Sequence, residues 1–158
     1  MERYHTILAD EGYRQLLREL EVSEKERIFC RHSLAHFCDV ARIMYILALE
    51  EGSALSQDVI YATALLHDIG RVQEYRDGTP HEEAGVILAR PYLEKAGYEP
   101  DEIAEILQAI QEHRTEQEGQ ELADYLYRAD KLSRMCFACD AAAECKWSQE
   151  KRNHTVTI

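Results

Sequence analysis

Apolar residues recur along this chain three and four positions apart, a spacing typical of helices that bury one face. No window alternates polar and apolar residues for long enough to predict a strand. The sequence therefore predicts an all-α protein, a single-domain helical bundle of about six helices over residues 1–158. The helical segments cover roughly residues 3–20, 23–51, 56–70, a stretch beginning at residue 80, 101–112 and 121–135.

Local signals set the expected boundaries of these helices. Ser23 and Thr79 each stand three residues before a glutamate, which predicts a capping box at the start of a helix. Gly70 is expected to end the third helix, and the stretch RVQEYRDGT after it is predicted to be a polar loop over residues 71–79. Pro91 is expected to kink or divide the fourth helix.

Composition narrows the possible partners. The net charge of −12 repels a phosphate backbone, so duplex nucleic acid is not an expected partner. No apolar run is long enough to span a membrane, and the first residues have no signal-peptide pattern. Five cysteines, an odd number, fit a reducing compartment better than a disulfide framework. We therefore expect a cytoplasmic protein, either a monomer or a homo-oligomer.

The stretch ALLHDIG carries an imidazole and a carboxylate into an apolar helix, which is costly unless both find partners. Other helices also place such groups on or beside their apolar stripe. Taken alone, any one of these histidines is more often a hydrogen-bonded core residue than a ligand. One shared metal site satisfies the whole set at once. The set is His36, His67, Asp68, His81, His113 and Asp130.

Imidazoles and carboxylates without a thiolate suit Fe, Mn, Co, Ni or Zn. Six ligands are about right for two divalent ions, with Asp68 as the natural bridge because His67 precedes it directly. His32, one turn before His36, is an alternative first ligand or a residue that orients a ligand. Asp39 is expected to be a solvated helix residue or a hydrogen-bond acceptor for a ligand.

The order H…HD…D resembles the HD-domain metal-dependent phosphohydrolases. The resemblance extends from RHSLAHFCDVARI through ALLHDIGR, HEEAGVILA and EILQAIQEHR to YRADKLSR. It implies a helical bundle of the HD-domain type, with His36, His67, Asp68 and Asp130 as ligands. Members with two metals add two histidines, which correspond to His81 and His113, and they include diadenosine-tetraphosphate hydrolases and cyclic-dinucleotide phosphodiesterases.

Two departures from these relatives bear on the substrate. The Gly-Tyr-Pro signature of the cyclic-dinucleotide phosphodiesterases is missing, which argues against that substrate. Arg71 stands near the position where the tetraphosphate hydrolases usually have lysine.

The resemblance implies hydrolysis of a small phosphoester, a nucleotide or dinucleotide, by a metal-activated hydroxide. Asp68, Arg71 and Lys131 are the expected catalytic residues. One alternative is an HD-fold diiron oxygenase, which would use the same six ligands, and another is a non-catalytic nucleotide or metal sensor. The basic residues expected to bind substrate are Arg71, Arg76, Arg114 and Arg134.

A cysteine-containing segment occupies residues 135–158 and begins with MCFACDAAAECKW. Its C-x-x-C pattern and third cysteine suggest a separate zinc or iron–sulfur knuckle, with His154 or Cys30 as a fourth ligand. The alternatives are cysteines that pack as small apolar residues and a redox sensor. The candidate knuckle ligands are Cys136, Cys139 and Cys145.

Overall fold

The computed structural model describes residues 2–116 and 119–158. Within these ranges the chain forms eight α-helices, one short 3₁₀ turn and no strand, so the all-α prediction is confirmed. The helices are α1 (Tyr4–Ala9), α2 (Glu11–Ser23), α3 (Leu34–Glu50), α4 (Gln57–Leu66), α5 (Arg71–Asp77), α6 (His81–Ala96), α7 (Pro100–Glu112) and α8 (Glu121–Leu132). The 3₁₀ turn covers Cys136–Ala138.

Helix α4 lies at the centre of the bundle. It contacts α1, α3, α6, α7 and α8. Its residues from Val59 to Leu66 are buried, apart from the partly buried Tyr61, as expected of a helix that is apolar on all sides. All eight helices contribute to one hydrophobic core, so the end of α4 is surrounded by the elements that follow it. No helix in the described ranges is both long and apolar enough to cross a membrane.

The N-terminal half differs from the prediction at two helix boundaries. The first segment is broken in two at Asp10, whose side chain accepts a hydrogen bond from the Tyr13 amide and caps α2. Ser23 ends α2 instead of starting a helix, so the capping box predicted there is wrong. Residues 24–33 are not helical, and Ser33 caps α3 by accepting a hydrogen bond from the His36 amide. Tertiary contacts of the loop, described below, override the local signal.

The loop predicted for residues 71–79 is also wrong, because most of it is helix α5. The helix packs through Val72, which is 1% exposed, and it ends at Gly78 in the left-handed conformation. Thr79 does not cap α6, since its hydroxyl donates to Asp77 and the Glu74 carboxylate accepts from the first amide of α6 instead. Pro91 does not divide α6.

Candidate metal centre

The His67–Asp68 pair follows directly on α4, in the middle of the core. His67 is fully buried and Asp68 is 1% exposed. The last carbonyls of a helix lack partners within it, and the Nδ1–H of His67 donates to one of them, the Ala64 oxygen at 2.6 Å. This hydrogen bond fixes the imidazole so that Nε2 faces the neighbouring helices.

The turn after this pair packs closely against α6. A Cβ atom added to Gly70 would lie 1.9 Å from the His81 carbonyl oxygen and 2.5 Å from the Gly85 nitrogen. Gly70 has an ordinary helical φ of −61° and opens α5, so its expected role as the end of the third helix is wrong. The residue is glycine because α6 comes this close, and that approach brings His81 to Asp68.

The six predicted ligands lie together as two groups that share one carboxylate. The ligand atoms within each group lie within 4.8 Å of one another. One group is His36, His67, Asp68 and Asp130, and the other is Asp68, His81 and His113.

The two oxygens of Asp68 face opposite groups. Oδ2 lies 3.2 Å from Nε2 of His67. Oδ1 lies 3.3 Å from Nε2 of His113 and 3.6 Å from Nε2 of His81. A carboxylate placed this way is suited to bridge two cations.

The other three imidazoles, like that of His67, each have a polar partner at Nδ1. Nδ1 of His113 donates to the Ile110 carbonyl at 2.6 Å, the same local arrangement at the end of α7. Nδ1 of His81 lies 3.0 Å from the Glu74 carboxylate. On α3, His36 has Nδ1 3.3 Å from the Ser133 hydroxyl and Nε2 3.1 Å from Asp130. Because Nδ1 of each ring has a partner, Nε2 is the nitrogen available to bind a metal ion in the centre.

The centre contains buried polar atoms that have no hydrogen-bond partner among the described residues: Nε2 of His67, Nε2 of His81 and Oδ1 of Asp68. Unpaired buried polar atoms are costly and uncommon in folded proteins. A bound cation would give all three a partner. Four imidazoles and two carboxylates are the donor set of divalent transition metals, so the residues fit such ions.

Mutual electrostatics keep the carboxylates charged. Burial raises the pKa of Asp68, but the charges of His67 and Arg71 outweigh it and hold that pKa well below its usual range. Burial also raises the pKa of Asp130, but the hydrogen bond with His36 and the nearby charge of His67 outweigh it and lower that pKa. Burial lowers the pKa of His36 to about 4. At His67 the two carboxylates outweigh burial and raise the pKa to about 10.

Metal binding is therefore expected to release a proton from His67. With a pKa of about 10, this ring is protonated at pH 7, and a metal ion has to displace that proton to reach Nε2. We expect about one proton released per chain at pH 7 and an apparent affinity that rises with pH, since less proton competes. Calorimetric titration with Mn²⁺ in buffers of different protonation enthalpy measures this release. Binding enthalpies that are equal in all buffers would contradict the assignment.

His32 lies beside the cluster but outside both groups. Its Nε2 is 3.7 Å from Oδ2 of Asp68, and its Nδ1 is 2.6 Å from the buried carboxylate of Glu24. Glu24 also accepts from the His32 amide and from the Tyr75 hydroxyl, and these bonds hold residues 24–33 in place. Glu24 and Glu74 could not be predicted from the sequence, because a single carboxylate in a polar stretch gives no periodic signal.

Three of the predicted basic residues border the carboxylates. Nε of Arg71 lies 3.2 Å from Asp68 without hydrogen-bond geometry. Nζ of Lys131 lies 3.6 Å and Nη2 of Arg134 lies 3.9 Å from Asp130.

Other predicted residues are engaged elsewhere. Arg76 pairs with Glu19 on α2. Arg114, 60% exposed, lies 3.4 Å from Glu82. Asp39 is exposed and pairs with Arg42 on its own helix.

The HD domain family model matches residues 33–135, which include all six clustered residues. The chain belongs to the HD domain family. HD domains bind divalent metals, in agreement with the His/Asp cluster. A crystal structure of a predicted HD superfamily hydrolase from an uncultured Thermotogales bacterium matches with a TM-score of 0.63 and 26% identity, covering 88% of this chain and 80% of that one.

The sequence relatives of this chain include an uncharacterized protein and two ribonucleases. An uncharacterized protein of Clostridium beijerinckii is 42% identical over 156 residues, 99% of both chains. Ribonuclease Y 1 of Pediococcus pentosaceus is 31% identical over 142 residues, and that of Levilactobacillus brevis is 32% identical over 119. These matches cover 79% and 65% of this chain but only 27% and 22% of the two ribonucleases. This chain thus spans about a quarter of the length of the two ribonucleases.

Proposed function

We propose that this HD domain is a metal-dependent phosphohydrolase that acts on a small phosphoester, a nucleotide or dinucleotide. The observation that carries the proposal is the shared carboxylate of Asp68, whose two oxygens face Nε2 of His67 and Nε2 of His81, buried atoms without a hydrogen-bond partner in the described part of the chain. The match to an HD superfamily hydrolase supports the reaction class.

In this proposal the six clustered residues bind two divalent ions. His36, His67 and Asp130 would hold one ion, and His81 and His113 the other, with Asp68 shared between them. When bound, such ions lower the pKa of water and polarise a phosphoryl oxygen. The hydrogen bonds on Nδ1 of His67 and His113 keep those rings in the orientation that metal binding needs.

Arg71 and Lys131 would neutralise charge on the phosphoryl group. Their side chains are 20% and 26% exposed, so solvent reaches them at the edge of the buried centre. A guanidinium and an ammonium bind phosphate oxygens well. The rings of Tyr127 and Trp147 lie 5.1 Å and 5.6 Å from Nζ of Lys131. A phosphate held by Lys131 would have aromatic faces beside it, which suits a nucleobase.

Arg71→Ala is expected to lower kcat/KM by roughly 10²–10³-fold, the usual loss when one group that stabilises transition-state charge is removed. Metal content should stay at the wild-type value, because the guanidinium is not a ligand. Arg90→Ala removes an exposed arginine of α6 and serves as the matched control. Equal kcat/KM for Arg71→Ala and the control would remove Arg71 from the mechanism.

The substrate class is tested by a panel of mononucleotides, dinucleotides and a short oligoribonucleotide, each with Mn²⁺, Fe²⁺, Co²⁺ or Mg²⁺. The oligoribonucleotide is included because of the ribonuclease Y relatives. We expect metal-dependent hydrolysis of a nucleotide or dinucleotide. Oxygen consumption by iron-loaded protein, without hydrolysis of any panel member, would replace this proposal by the diiron oxygenase.

A further inference from the structure

The cysteines form a second set of candidate ligands, apart from the His/Asp cluster. All five are free thiols, and each is partly buried. Cys38 lies on α3. The other four belong to the loop after α2 and to the segment after α8, which the fold brings together.

Cys30 is held next to the C-terminal cysteines. Nη1 of Arg134, just after α8, donates to the Arg31 carbonyl at 2.9 Å and so ties the two segments together. Burial raises the pKa of Cys30, Arg134 lowers it, and the three C-terminal thiols lie near enough to raise it further. These three are Cys136, Cys139 and Cys145. The fold thus places Cys30 as a fourth thiol near the three thiols of the C-terminal segment.

Two backbone amides make hydrogen bonds around these thiols. The amide of Cys139 donates to the Cys136 carbonyl at 3.3 Å, which turns the chain between the two residues of the C-x-x-C pattern. The amide of Trp147 points at Sγ of Cys145 from 3.5 Å. Hydrogen bonds to the sulfurs are a feature of cysteine-ligated metal sites.

Guanidinium groups contact the backbone of two of these cysteines. Nε of Arg27 donates to the Cys30 carbonyl at 2.8 Å, and Nη2 of Arg152 donates to the Cys145 carbonyl at 3.0 Å. With Arg134, they place positive charge beside thiols that would become negative on binding a metal.

The C-terminal segment has little core of its own. Ala141 is its one buried residue over residues 133–158, and its one regular element is the 3₁₀ turn. Asn153 fastens it by donating to the Lys131 and Arg134 carbonyls, at 2.7 Å each. Short stretches without a hydrophobic core commonly depend on a metal or a disulfide for a fixed shape.

We propose that Cys30, Cys136, Cys139 and Cys145 bind one Zn²⁺ as a structural tetrathiolate site. Four thiolates fill a tetrahedral zinc site and leave no open position for chemistry. The other predicted fourth ligand, His154, is exposed and has Nε2 bonded to the Gln149 carbonyl. In the described part of the chain no three of the sulfur atoms lie within 4.8 Å of one another, so binding draws them together. Zinc binding and ordering of the segment are therefore coupled.

The test is cobalt substitution in the full-length, reduced protein, followed by absorption spectroscopy and metal analysis. The His/Asp cluster contains no thiolate, so sulfur-to-cobalt charge-transfer bands report on the cysteines alone. We expect these bands, with the intense visible bands of tetrahedral cobalt, in the wild type, in Asp68→Asn and in the control Cys38→Ser. Cys139→Ser should lose them together with one equivalent of zinc.

Three results would overturn this site. One is wild-type protein that binds cobalt without charge-transfer bands. Another is a Cys139→Ser variant that keeps them. The third is purified protein with iron and inorganic sulfide at the cysteines instead of zinc. If Cys139→Ser fails to fold, the spectra of the wild type and Asp68→Asn still decide the question, because they need no cysteine variant.

Discussion

Asp68→Asn is expected to abolish hydrolysis and to reduce the metal bound at the His/Asp cluster below two ions per chain. The substitution removes the one carboxylate that both ligand groups share, so neither group is complete. Metal ions supply several kcal/mol of transition-state stabilisation, so the expected loss in kcat/KM is about 10³-fold or more. Metal analysis and steady-state kinetics on the same sample measure both effects.

The matched control is Asp39→Asn, which removes an exposed carboxylate on α3 that pairs with Arg42. It should keep wild-type activity and metal content. If Asp68→Asn retained two ions and full activity, the bridging role of Asp68 would be wrong. Circular dichroism of the variant should match the wild type, since the amide is nearly isosteric with the carboxylate.

Gly70→Ala is expected to be the most destabilising single-methyl change in this part of the fold. The added Cβ would lie 1.9 Å from the His81 carbonyl oxygen and 2.9 Å from Gly85 Cα, and backbone atoms cannot rotate away. The α4–α5 turn and α6 would have to separate, at a cost of about 3 kcal/mol or more in the free energy of unfolding. Because α6 carries His81, metal binding should weaken as well. Denaturant unfolding and metal titration measure the two losses.

Gly78→Ala at the other end of α5 is the matched control. Gly78 has no atom within 4 Å of an added Cβ, and its positive φ of 82° makes the expected cost about 1 kcal/mol. This variant should also leave the metal affinity unchanged. Equal unfolding midpoints for the two variants would show that α6 does not approach Gly70 as closely as the structure has it.

The sequence predicts the fold well where periodicity is strong and local. The last two predicted helices, 101–112 and 121–135, correspond to α7 and α8 with small shifts at their ends. The prediction fails where contacts between residues that are not neighbours in the sequence determine the local structure. Residues 24–33 leave the helix because Glu24 binds His32, a pairing that spans eight positions and has no pattern in the sequence. Helix α5 has seven residues and only Val72 buried, too little for a periodic signal.

The candidate metal centre could be predicted because its ligand types are rare on apolar helix faces. Each of the six residues lies on or beside a buried stripe, and together they are more easily explained by one site than by six separate partners. The side chains that hold these ligands in place could not be predicted from the sequence. Ser133 contacts Nδ1 of His36, and Glu74 contacts Nδ1 of His81. These contacts depend on how α8 and α5 pack, which the sequence does not indicate.

We propose that the His/Asp cluster holds two ions, one on each side of Asp68. Anomalous diffraction from crystals of the Mn²⁺-loaded protein tests it most directly. We expect two peaks at the cluster, one among His36, His67 and Asp130 and the other between His81 and His113, with one oxygen of Asp68 directed to each. A single peak, or none at these residues in crystals grown with saturating Mn²⁺, would contradict the two-ion centre.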